Sequence, residues 1–174
     1  MNKKFFTGKN ILLAIKSLMV VIFIILLIRS YYGIEKDYWL ANNYDGAFEL
    51  KLLTDRIIFK AYILPNLIIL LPVIGIFISN RIGWILLTSY FYFLLFNGTF
   101  YMRVEELMQP IFWVFIATLI FFAGIIFLMN LKAIRSDIYK IPKSQQIINN
   151  IFATIIGLIF TLAVALIHNH TPFE

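Results

Sequence analysis

The sequence predicts an all-α integral membrane protein, a polytopic helical bundle of about five transmembrane helices in a single membrane domain. Three observations carry that expectation. Of 174 residues, 61% are hydrophobic and only 14% are charged, against roughly a quarter charged in a soluble domain. The apolar residues are gathered into runs near the ~20 residues that cross a ~30 Å hydrocarbon core. In the last run, residues 147–167, Ala153, Gly157, Thr161 and Ala165 recur every fourth position on one helix face. Lipid tails are as apolar as leucine, so helices in a bilayer associate by close packing, and a seam of small residues permits it.

Composition narrows the function classes. The net charge of +6 comes from 15 Lys and Arg against 9 Asp and Glu. The basic residues sit beside apolar runs, where they orient helices and meet anionic headgroups, so the lipid bilayer and no nucleic acid is the expected partner. The chain has no cysteine, which excludes disulfides, thiolate metal sites and thiol redox chemistry.

The first run, residues 11–28, follows Lys3, Lys4 and Lys9. It is longer than a secretory-signal core, and Arg29-Ser30-Tyr31-Tyr32 offers no small-x-small cleavage site, so an uncleaved span is expected. Lys16 lies less than two turns inside the run and is expected to snorkel to the cytosolic surface. Residues 29–59 are read as an outer loop, with Tyr31, Tyr32, Tyr38, Trp39 and Tyr44 at the membrane–water interface. Asp45 suits the N-cap of a helix starting near Gly46.

The second run, residues 60–78, contains Pro65, Asn66 and Pro72. Each proline is expected to remove a backbone hydrogen bond and bend the helix, and Asn66 to face protein. Ser79-Asn80-Arg81 is a tight turn into the third run, residues 82–101. That run is short and less apolar; a full hairpin is expected in preference to a re-entrant pair. The fourth run, residues 111–129, follows Pro110, which suits a first helical turn, and its small residues are Ala117, Thr118, Ala123 and Gly124. Residues 130–146 are a cytosolic connector broken by Pro142, with Ser144 as a cap for the fifth helix.

The basic residues set the expected orientation. One side holds Lys3, Lys4, Lys9, Arg81, Lys132, Arg135, Lys140 and Lys143 with Asp137 as the only acid; the other holds six basic and eight acidic residues. The dense, short basic segments put the N-terminus in the cytosol and the C-terminus outside, in the plasma (inner) membrane.

Candidate chemistry is sparse. His168 and His170 are two apart in a terminal segment, not at the three- or four-residue spacing of helical metal ligands. Glu105 and Glu106 are adjacent and point in different directions, as solvated loop residues do. Asn97-Gly98-Thr99 and Asn169-His170-Thr171 match the glycosylation tripeptide, a pattern common by chance. No nucleotide-binding loop, HExxH or GxSxG motif is present. Catalytic, cofactor and metal residues are therefore all expected to be none. The expected function is non-enzymatic: an accessory, immunity or defence-type membrane effector or partner subunit that associates with itself or another membrane protein. The alternative is a small channel or transporter whose polar path is bordered by Pro65, Asn66 and Pro72 and lined by Thr88, Ser89 and Asn97.

Overall fold

No proline interrupts residues 8–43, and in the computed structural model they form one helix, α1 (Gly8–Asn43). The structure describes residues 7–43, 62–100 and 111–169. At 36 residues, α1 is about 54 Å long, so the expected span end at residue 28 is not a helix end. The helix continues through residues 29–43, which hold no proline and one glycine. The first part of the expected outer loop is thus helical, while Asp45, Gly46 and the cap assigned to them lie outside the described residues.

The chain resumes at Tyr62 with one turn of π-helix, followed by α2 (Leu64–Phe77). Pro65 lies in its first turn, where the missing N–H has no intrahelical acceptor to lose. Only Pro72, buried inside the helix, removes an internal bond. Ile78 then leaves in an extended conformation. Asn80 caps α3 (Arg81–Phe100), its side-chain oxygen accepting from the N–H of Ile82 at 2.9 Å and of Gly83 at 3.4 Å. Gly83 is required by the turn, since a Cβ there would overlap the carbonyl oxygen of Ile78. Next come α4 (Ile111–Asn130), the short α5 (Lys132–Arg135) and α6 (Gln146–Asn169). A 3-10 turn, Lys143–Gln145, leads into α6 from Pro142 and takes in Ser144, the residue expected to cap that helix.

No strand occurs among the described residues. Among the described residues, four segments are long and apolar enough to cross a membrane: Gly8–Lys36, Arg81–Phe100, Phe112–Asn130 and Lys143–Leu166. The 14-residue α2 falls short of that length, at about 21 Å. Among the described residues, four helices of spanning length and one shorter apolar helix thus stand where about five spans are expected.

Side-chain contacts fix the helix directions. Lys16 of α1 donates to the carbonyl of Ile76 in α2, Trp84 of α3 donates to that of Met129 in α4 at 2.9 Å, and Gly8 lies against Ala133. The N-termini of α1, α3 and α6 and the C-termini of α2 and α4 consequently share one end of the bundle. The centre is α3, whose Trp84, Leu87, Thr88 and Phe91 are fully buried among α2, α4 and α6. Phe77, Trp113 and Ile147 are more than 70% exposed; on a soluble protein such surface would be a liability, but hydrocarbon tolerates it.

Candidate functional site

On α6 the four-residue series runs Asn149, Ala153, Gly157, Thr161, Ala165, and all five are buried. They face α3 of the same chain. The two helices run parallel: the Arg81 guanidinium lies 5.9 Å from the centre of the Phe152 ring, and the rings of Phe93 and Phe160 are 6.3 Å apart. At Gly157 a Cβ would come within 2.8 Å of the Phe93 amide nitrogen and 2.9 Å of the Ser89 carbonyl oxygen. Those are backbone atoms, which cannot swing aside, so the helices meet at a distance only glycine permits. Thr161 satisfies its hydroxyl within α6, donating to the Gly157 carbonyl at 3.1 Å. Parallel neighbours cannot be joined by a short turn, and here α4 and the connector bring the chain back.

Of the six residues expected to border a polar path, Pro65, Asn66 and Pro72 lie in α2 and Thr88, Ser89 and Asn97 in α3. Asn66 is tied to α1, its amide donating to Ser30 Oγ and to the Tyr62 carbonyl, each at 2.7 Å. Pro65 is half-buried beside it and Pro72 is buried two turns on. Thr88 and Ser89 are buried in α3, Ser89 Oγ donating back to the Leu86 carbonyl at 2.9 Å. Asn97 lies further along the same helix, half-buried. The hairpin register set by Gly75 against Leu86 and Leu87 brings Asn66 to within about one turn of Asn97. The side-chain oxygens of both are buried without a hydrogen-bond partner, as is the hydroxyl of Thr88.

A polar cluster that no local pattern announced sits at the entrance of α6. Asn150 and Asn130 exchange amide hydrogen bonds of 2.7 and 3.2 Å, Gln146 donates to Asn130 Oδ1 at 3.0 Å, and Tyr92 donates to Asn150 Oδ1 at 3.1 Å. Three elements, α3, α4 and α6, are joined by it. Nearby in the connector, Arg135 is 5% exposed and donates to the Ile141 carbonyl at 2.8 Å. Burial pushes the Tyr139 hydroxyl up to about 12. Asn149 is fully buried with neither amide atom hydrogen-bonded.

No known family model, curated protein or solved structure matches the chain. What the arrangement does must therefore be read from its own side chains. Among the described residues no group of three His, Asp or Glu is placed to hold a metal ion. Glu105, Glu106 and His170 lie outside the described residues, and His168 falls in the last turn of α6. Asn97-Gly98-Thr99 lies inside α3, with Thr99 donating to the carbonyls of Leu95 and Phe96 at 3.0 Å.

One helix presents small residues outward. Ala117, Thr118, Ala123 and Gly124 of α4 are all exposed, among the exposed Trp113, Val114, Ile120, Phe121 and Phe127. A Cβ on Gly124 would meet nothing within 4 Å, whereas the other described glycines all abut neighbouring atoms.

Proposed function

We propose that the chain is a non-enzymatic, multi-pass protein of the plasma membrane that works by helix–helix association, with its own copy or another membrane protein. An accessory, immunity or defence-type subunit fits this description. Its N-terminus lies in the cytosol and its C-terminus outside, as the charge distribution favours. The seam on α6 is occupied inside the chain, so the association surface in this reading is the outward face of α4. Gly124 carries the argument. Mid-helix glycine costs about 1 kcal/mol relative to alanine, and nothing among the described residues makes use of its smallness. A helix from outside packed against Ala117 and Gly124 would.

The test is particle mass after gentle solubilisation from membranes, compared with an A117L/G124L variant. The expected result is a complex for the unaltered protein and a monomer with unchanged thermal stability for the variant. A monomer in both, or a complex that survives the substitutions, overturns the proposal.

A small channel or transporter is the second reading, supported by the unpartnered side-chain oxygens of Asn66 and Asn97 near one level of the α2–α3 hairpin. Solute or ion flux into proteoliposomes that Asn66→Leu abolishes would favour it over association; no flux would remove it.

A further inference from the structure

At the end of the bundle that holds the α1 N-terminus, a recess of about 420 Å³ opens between α1 and the connector after α4, lined by Lys9, Leu12, Leu13, Lys16, Asp137 and Ile138. Lys9 and Lys16 are seven residues apart and share a face of α1. Two cationic residues and one acidic residue thus border a single space. Among the described residues none of the three forms an ion pair. Lys16 uses one of its three N–H donors on the Ile76 carbonyl, a neutral acceptor that leaves its charge uncancelled. Lys140 donates to the backbone carbonyl of Asp137 at 2.8 Å and not to its carboxylate.

The remaining wall of the recess is apolar. Leu12, Leu13 and Ile138 supply it, and Leu13 is 64% exposed on a helix long and apolar enough to cross a membrane. An occupant that satisfies every wall is an amphiphile carrying both an anion, for the lysines, and a cation, for Asp137. The charges are also ordered by depth. Gly8 packs on Ala133, which marks the level of the connector, and Lys16 lies about 12 Å further along α1. In a zwitterionic phospholipid the phosphate likewise lies deeper than the terminal amine.

We infer that this recess binds the headgroup of an aminophospholipid, its phosphate at Lys9 and Lys16 and its primary ammonium on the Asp137 carboxylate. A primary ammonium donates charge-assisted hydrogen bonds to a carboxylate, and a trimethylammonium has no N–H to donate. The lysines therefore hold any phospholipid, and Asp137 selects among headgroups. The inference is independent of the association proposed for α4, which contributes no residue to this recess.

The experiment is a titration of the purified full-length protein in neutral detergent with phosphatidylethanolamine, phosphatidylcholine and phosphatidylglycerol of identical chains, read by native mass spectrometry. Phosphatidylethanolamine is expected to bind about fivefold more tightly than either of the others. D137N should remove that advantage and D137E should keep it, while K9Q should weaken all three lipids. Lys9 and Asp137 are both exposed, so these variants should melt with the unaltered protein. Should D137N melt early, D137S replaces it. Equal binding of phosphatidylethanolamine and phosphatidylcholine, tightest binding of phosphatidylglycerol, or a preference that D137N leaves intact overturns the inference. Competition by soluble phosphoethanolamine as potent as by the lipid would overturn the lipid as its source.

Discussion

The ammonium of Lys16 donates to the backbone carbonyl of Ile76, in the last turn of α2. Carbonyls in a final helical turn have no intrahelical donor, and they carry the negative end of the helix dipole. A lysine one helix away supplies both the hydrogen bond and the opposite charge. The sequence suggests that Lys16 snorkels towards the end of the bundle that holds the α1 N-terminus; the carbonyl it meets is the C-terminal end of α2. Removing the ammonium with Lys16→Met should destabilise the fold by roughly 1–3 kcal/mol, the cost of an orphaned buried acceptor. Thermal unfolding in detergent measures it, and Lys16→Arg should recover part of the loss.

The close approach of α6 to α3 makes Gly157 the most size-sensitive position of the seam. Gly157→Ala inserts a methyl group against the Phe93 and Ser89 backbones and should cost about 1–3 kcal/mol as overpacking. Gly124→Ala, with open space around it, should be neutral or stabilising by up to about 1 kcal/mol. Melting temperatures of the two variants in the same detergent decide the contrast. Equal losses would contradict the placement of the two glycines.

Asn130 and Asn150 should behave as a unit. Asn150→Leu leaves Asn130 and Tyr92 each short of a partner, with an expected loss of about 1–3 kcal/mol. Asn130→Leu should be similar, and the double variant should lose less than the sum. A double-mutant cycle on thermal stability checks this; strict additivity would argue against a shared network.

Tyr139 predicts an alkaline limit. Its hydroxyl is raised from the ordinary 10.0 to about 12 by burial, so the folded state holds the proton more tightly than the unfolded chain. Stability from this group is intact below pH 10 and falls as pH rises from about 10 towards 12. Tyr139→Phe should remove that component while changing little at neutral pH, because the hydroxyl has no hydrogen-bond partner to lose. Stability against pH for both proteins is the measurement.

The apolar runs were legible because bilayer thickness imposes them: runs at 82–101, 111–129 and 147–167 coincide within two residues with α3, α4 and α6. The extent of α1 was not, since hydropathy marks where lipid ends and not where helical hydrogen bonding ends. Periodicity identified the Ala153–Gly157–Thr161–Ala165 face, yet spacing names a face and not what lies opposite; that Ser89 and Phe93 of the same chain fill it needed three dimensions. The cluster of Tyr92, Asn130, Gln146 and Asn150 draws on three elements, so no single stretch shows it. Gly124 and Gly157 look alike in sequence, and only their surroundings separate an outward glycine from an inward one.

The docking of α6 on α3 within one chain is tested most directly by cross-linking. Because the chain has no cysteine, F93C/F160C introduces the only two thiols, at positions whose rings are 6.3 Å apart. Treated in membranes with a short bifunctional thiol reagent, this variant should give a cross-linked monomer. A cross-linked dimer with no intrachain product would contradict the account.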